Sequence, residues 1–168
     1  MIRSVFQCVS ALGRARALRR AVVAGAAGLL LGGGLAHAEG SSAPLNLAQY
    51  KGQVVYLDFW ASWCGPCKIS FPYMEKMTAY YSNRKFVVIA VNLDHSRASA
   101  DAFLNQVGAD LPVVYDPKGA IASKFDVKEM PTSVLIGRDG RVRYVHKGFF
   151  QDKMPVYEAH ISELLNEN

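Results

Sequence analysis

A nearly continuous β-branched and aromatic run, Val54 to Trp60, leads within four residues into Cys64-Gly65-Pro66-Cys67, and from Pro66 to about Tyr81 the pattern turns helical. A run with so little polar alternation is expected of a central strand covered on both faces. The helix carries Ile69, Tyr73, Met77 and Tyr80 at spacings that share a face, and Pro72 inside it is expected to kink it. A strand feeding Cys-x-x-Cys and then a helix places the first sulfur at the helix N-terminus. There, unpaired amide groups and the macrodipole stabilise an anion. The thiolate is the reactive form of cysteine, so Cys64 is the expected nucleophile. Cys67, one turn further in, is the expected buried resolving thiol, which closes the Cys64-Cys67 disulfide and releases the reduced partner. Two cysteines this close make a poor structural staple, because closing so short a loop removes little unfolded-state entropy.

The remaining pattern is α/β. Asn46 to Gly52 reads as a turn or brief helix, Phe86 to Leu93 as a second buried strand, and Arg97 to Val107 as an amphipathic helix with Ala98, Phe103 and Val107 on its apolar side. Leu111 to Tyr115 is a short apolar run. A turn at Asp116-Pro117-Lys118-Gly119 precedes a short helix, Ala120 to Phe125. Strands at Thr132 to Ile136 and Arg141 to His146 flank Arg138-Asp139-Gly140, which predicts an antiparallel hairpin, and Gln151 to Leu165 closes the chain as a helix. A β-α-β unit, an intervening helix and a terminal β-β-α unit imply a mixed central sheet with helices on both faces.

The N-terminus has a different character. Arg3, Arg14, Arg16, Arg19 and Arg20 are followed by an apolar, glycine-diluted run from Ala21 to Ala36 and then Ala36-His37-Ala38. This succession predicts a secretory signal over 1–38, cleaved between Ala38 and Glu39, with a retained membrane anchor as the alternative. Residues 39–45 then form a linker and 46–168 the domain. Arg19-Arg20 lacks further twin-arginine consensus, so general secretion is favoured. Cys8, in the basic segment, is expected to be removed with it. The formal charge of +5 belongs to this segment. Five of the 19 basic residues and none of the 14 acids lie in it, which leaves 14 of each sign in the remainder. A basic nucleic-acid surface is therefore not indicated.

Asp58-Phe59-Trp60-Ala61-Ser62-Trp63-Cys64-Gly65-Pro66-Cys67-Lys68 resembles the active-site segment of the thioredoxins, Pro72 matches their helix proline, and Met130-Pro131-Thr132 resembles their cis-proline loop. The added β-α material over roughly 91–127 and the export signal make the chain more similar to the TlpA-like thiol-disulfide oxidoreductases. The resemblance implies a thioredoxin-like fold with an extra β-α insertion. It also implies that Asp58 is the buried carboxylate that relays a proton to or from Cys67, burial raising its pKa toward neutrality. Trp63, Gly65, Pro66, Met130 and Pro131 would form the docking surface, where an extended partner segment adds as a strand beside Cys64. Trp60 is expected in the core. Two positions depart from the family. Ala90 stands where thioredoxins pair the Asp with Lys, and Ser70 where many cytochrome-maturation members carry Glu, which counts against a cytochrome c assembly role.

The expected activity is protein-disulfide reduction by dithiol–disulfide exchange, without cofactor or metal. Expected partners are disulfide-containing exported proteins and a membrane thiol carrier as electron donor. The protein is expected to be a monomer in the bacterial periplasm, touching the membrane only if the N-terminal segment is retained. The Gly65-Pro66 dipeptide, with no histidine beside Cys64, argues for a potential nearer about −270 mV than the about −120 mV of the strong periplasmic oxidant, and hence for a reductant. Alternatives are a disulfide oxidase or isomerase, or a copper carrier using the pair as soft ligands with a histidine as third. His95, His146 and His160 all lie far from the motif and are read as surface or loop residues. A thiol peroxidase would need a threonine preceding Cys64, which is missing, and a purely structural interaction module leaves the pair unexplained.

Overall fold

The structure, a computed structural model, describes residues 45–167. The expected secretory segment, its cleavage junction, Cys8 and most of the linker lie outside the described residues.

Five strands form one sheet: β1 (Val54–Trp60), β2 (Phe86–Asn92), β3 (Val113–Tyr115), β4 (Thr132–Ile136) and β5 (Val142–Lys147), in the order β3-β2-β1-β4-β5. β1, β2 and β3 run parallel, and β4 and β5 are antiparallel to their neighbours. The helices are α1 (Cys67–Tyr80), α2 (Arg97–Val107), α3 (Ala120–Lys124) and α4 (Met154–Asn166), with short 3-10 turns at Leu47–Tyr50 and Gln151–Lys153. This is the expected mixed sheet of a thioredoxin-like fold. No helix among the described residues is long and apolar enough to cross a membrane.

β1 is the central strand, and all seven of its residues are buried. Its side chains alternate between two cores, as the period of two requires. Val54, Tyr56 and Trp60 pack with residues of α1, α2 and α4, including Phe71, Phe103 and Ile161, while Val55, Leu57 and Phe59 pack on the other side with Ala122 of α3 and Ile136.

Two helical faces differ from expectation. In α1 the buried residues are Cys67, Ser70, Phe71, Tyr73, Met74 and Met77, while Ile69 and Tyr80 are exposed. Tyr73 is buried because Phe149 and Tyr157 close over its ring, at 5.3 and 6.2 Å between centroids. In α2 the buried residues are Ala100 and Phe103, while Ala98 is exposed and Val107 half-buried. In both helices the spacing of apolar residues alone does not fix the buried face. A small or polar residue can occupy a core-facing position, and an apolar one can face solvent, without breaking the helix.

Candidate active site

The site is built at the C-terminal end of β1, where the chain leaves the sheet and enters α1. The loop between them is tied to the end of β2. Leu93 N–H donates to the Trp60 carbonyl at 2.9 Å. Asp94, itself buried, accepts from Ser62 N–H at 2.8 Å, Ser62 Oγ at 2.9 Å and Asn92 Nδ2 at 2.8 Å. These bonds hold the backbone two residues before Cys64. Asp94 has no motif to announce it. Its only sequence signal is an acid directly after a buried strand.

Cys64 and Cys67 form a disulfide with S–S 2.02 Å and Cα–Cα 5.3 Å. The helix begins at the second cysteine, not the first. Gly65 and Pro66 form a turn, and Cys67, Lys68 and Ile69 N–H groups donate to the carbonyls of Cys64, Gly65 and Pro66 at 3.2, 3.1 and 3.0 Å. The amides expected to be unpaired beside the Cys64 sulfur are thus bonded within this turn. What remains for a Cys64 thiolate is the field of the helix macrodipole. Cys67 has no accessible surface, whereas Cys64 keeps 4 %. The residues between and beside them, Trp63, Gly65, Pro66 and Lys68, are exposed, and Trp63 presents 73 % of its surface. Trp60, by contrast, is fully buried against Phe71 and Phe103, at centroid distances of 4.9 and 4.8 Å.

The Met130-Pro131 peptide is cis, as the family resemblance implied. β4 runs antiparallel to β1 with Phe59 opposite Thr132, so Met130 and Pro131 lie at the sheet end from which the Cys64 loop departs. The Pro131 carbonyl accepts from Gly148 N–H at 2.8 Å, fixing this loop to the residues after β5.

Asp58 lies on the α1 side of β1, between Tyr56 and Trp60, and is fully buried. The residue opposite it on β2 is Ala90, so no lysine reaches it from there. The residue opposite on β4 is Ser133, whose Oγ donates to Asp58 Oδ1 at 2.6 Å and accepts from Tyr56 Oη at 2.9 Å. Asp58 Oδ2 has no protein hydrogen-bond partner. Burial pushes the Asp58 carboxyl up to about 7, and the Ser133 hydrogen bond opposes it. Burial, and secondarily the Asp58 charge, raise Tyr56 well above the usual phenol range. Ser133 and Tyr56 were not among the expected site residues. Only strand register joins residues 75 positions apart in this way.

His146 and His160, read as surface or loop residues, instead pair with each other, one on a strand and one on a helix. His146, opposite Ser133 on β5, is half-buried, and its Nε2 lies 2.9 Å from Nδ1 of His160 on α4. His160 stacks on Tyr144 at 3.8 Å between centroids. Burial first, and the neighbouring His160 second, hold His146 down to about 4. His95 is exposed. Among the described residues no group of three histidine, cysteine or acidic side chains gathers where it could hold a metal ion. Ser70 is buried and donates to the Cys67 carbonyl at 3.2 Å.

A thioredoxin-like sheet that delivers a Cys-x-x-Cys disulfide at a strand-to-helix junction, opposite a cis-proline loop, defines a thiol–disulfide oxidoreductase of the thioredoxin superfamily. The chain matches the Redoxin family over residues 25–161 and belongs to it. It is 33 % identical to the thiol-disulfide oxidoreductase ResA of Bacillus subtilis over 127 residues, covering 69 % of this chain and 71 % of that protein. Over 98 residues it is 36 % identical to the ResA of Bacillus thuringiensis, covering 58 % of this chain and 57 % of the relative. Among solved structures, a candidate thiol:disulfide interchange protein DsbE from Chlorobium tepidum is 48 % identical, with a TM-score of 0.71 over 73 % of this chain and 86 % of that one. The TlpA-like resemblance is in keeping with these relatives.

Proposed function

We propose that this oxidoreductase works outside the cytoplasm as a reductant of disulfides in exported proteins, with Cys64 as nucleophile and Cys67 as resolving thiol. The observation that carries the assignment of roles is the difference in access. Cys67 has no surface a partner could reach, and Cys64, flanked by exposed Trp63, Gly65 and Pro66, has some. Cys64 attacks the partner disulfide and forms a mixed disulfide. Cys67 then attacks the Cys64 sulfur, closes the internal disulfide and expels the partner thiolate. Asp58 takes the proton that Cys67 must lose. A carboxyl poised near neutrality suits that exchange, because it can both accept and return a proton at working pH. Trp63, Gly65 and Pro66, together with half-buried Met130 and buried Pro131 of the cis-proline loop, form the surface on which the partner docks, an extended partner segment pairing with the Met130 backbone as an added strand.

Reduction is favoured by Gly65-Pro66 and by the lack of a histidine between the cysteines, which leave the Cys64 thiolate without an added positive charge. The basic, apolar and Ala-x-Ala succession over 1–38 supports export, into the periplasm in a bacterium that has one. A membrane dithiol carrier would keep the protein reduced. The domain is proposed to act as a monomer.

One experiment with three readings tests this. The Cys67→Ser variant, expressed with the full chain, should accumulate mixed disulfides through Cys64 with extracytoplasmic proteins, and Cys64→Ser should trap none. The mature wild-type chain should begin at Glu39, and its glutathione equilibrium should give a midpoint near about −270 mV. Trapping of cytoplasmic proteins would overturn the location, and a midpoint near about −120 mV would make the protein an oxidase.

A further inference from the structure

A buried carboxyl with only one of its two oxygens hydrogen-bonded to protein is not a symmetric acid. Ser133 has one hydroxyl hydrogen, and an ionised Asp58 can only accept, so that hydrogen goes to Oδ1 at 2.6 Å. Tyr56 then donates to the free lone pair of Ser133 Oγ at 2.9 Å. The two hydroxyls form a directed chain, Tyr56 to Ser133 to Asp58, that ends on one oxygen. The other oxygen, Oδ2, is buried without a protein partner.

We infer that Ser133, oriented by Tyr56, is the positioning residue that occupies Asp58 Oδ1 and thereby makes Oδ2 the atom that exchanges a proton with Cys67. The inference rests on the relay role proposed for Asp58 above and assigns its geometry. A proton arriving at Oδ2 leaves Oδ1 an acceptor, so neither hydroxyl has to turn. A proton at Oδ1 would make Ser133 its acceptor; the second lone pair of Ser133 could still take the Tyr56 hydrogen, but the Ser133 hydrogen would need a new acceptor inside an apolar core, where an unmatched polar group is costly.

The step is balanced in both directions. In resolution, the Cys67 proton moves to Oδ2 as the Cys67 sulfur bonds to Cys64. The bond from Cys64 to the partner sulfur breaks, and the partner thiolate takes its proton from solvent. The cysteine pair loses two electrons and the partner disulfide gains them. When a donor dithiol reduces the protein again, the Cys64–Cys67 bond breaks and Cys67, the leaving sulfur, takes back the proton from Oδ2.

Surrounding groups leave this task to Ser133. β2 offers Ala90, which is apolar. β5 offers His146, held neutral by burial over the range in which Asp58 titrates and engaged by His160 of α4. The loop before α1 offers Cys64, α1 offers Cys67 and the Tyr73 hydroxyl, and α4 offers the Tyr157 hydroxyl, which accepts from Phe150 N–H at 3.2 Å, and Glu158, which acts on Tyr73. Ser133 is the side chain that opposes burial at Asp58 among the described residues.

The test uses the full chain and 5,5′-dithiobis(2-nitrobenzoate). The reduced protein releases one thionitrobenzoate when Cys64 attacks and a second when Cys67 resolves, so the pH profile of the second phase reports the relay. Carbon-13 titration of the Asp58 carboxyl reports its midpoint directly. Ser133→Ala should raise both midpoints by about one pH unit, a tenfold change in proton affinity. Tyr56→Phe should raise them by less, and Ser133→Thr, which keeps the hydroxyl, should restore the wild-type profile. A purely structural serine would lower thermal stability and leave both midpoints in place. If Asp58→Asn flattens the profile but neither Ser133→Ala nor Tyr56→Phe moves a midpoint, the positioning role is overturned and the relay stands. If Asp58→Asn leaves the profile unchanged, the relay itself fails and the assignment of Oδ2 falls with it. Should Ser133→Ala not fold, Tyr56→Phe carries the same comparison.

Discussion

The two faces of β1 are equally buried and chemically opposite. Val55, Leu57 and Phe59 face a core of aliphatic and aromatic side chains, whereas Tyr56, Asp58 and Trp60 put a phenol, a carboxyl and an indole N–H into the core beneath α1. On the first face, burial and stability point the same way. On the second they conflict, because desolvating a carboxyl costs free energy that only hydrogen bonds or protonation offset. The fold tolerates that conflict on the face that also carries Cys67. Complete burial along a strand therefore does not distinguish a face that only stabilises from one that also reacts.

The largest effect expected from this contrast is on the apolar face. Phe59 is fully buried, with its ring 5.7 Å from that of Phe125. Phe59→Ala should lower unfolding free energy by about 3–5 kcal/mol, while the pH profile of exchange per folded molecule stays unchanged. Denaturant titration alongside the exchange assay reads both. A shifted profile would show that the two faces are coupled.

The next effect has the opposite sign. Asp58 titrates near 7 when folded, against a model-peptide value of 3.8. The folded state thus binds the extra proton between these values. This contribution is fully present below about 3.8 and is lost as pH rises through about 7. Asp58→Asn should then stabilise the oxidised protein at pH 8 by about 2–4 kcal/mol while slowing exchange. A variant less stable than wild type at pH 8 would show that the carboxylate is better solvated than its burial implies.

The smallest effect concerns the edge of the polar face. His146 is depressed to about 4, so it must gain a proton on unfolding in acid. Its contribution is present above the unfolded value of about 6.5 and is lost as pH falls toward 4. The site is partly open to solvent, which limits the effect to about 1 kcal/mol. Because the His146 slope opposes the larger Asp58 slope over much of the same range, it should offset only part of the fall in stability with rising pH. His146→Phe should expose the Asp58 slope alone. An unchanged curve would mean that the imidazole titrates normally.

Much of this protein was settled within short stretches of sequence. The strand Val54 to Trp60, the Cys64-Cys67 turn, the helix after it and the hairpin about Asp139-Gly140 were all legible, because periodicity, turn chemistry and cysteine spacing act between near neighbours. The cis Met130-Pro131 peptide was legible only through family resemblance. Tertiary structure decided the rest. It set which side of α1 is buried, paired His146 with His160 and, above all, placed Ser133 of β4 against Asp58, on the flank opposite Ala90 of β2. A serine one residue into a strand carries no signal of its own. Its hydroxyl acquires a role from the register of two antiparallel strands, and a slip of one residue would turn it to the opposite face and leave Asp58 buried without a donor.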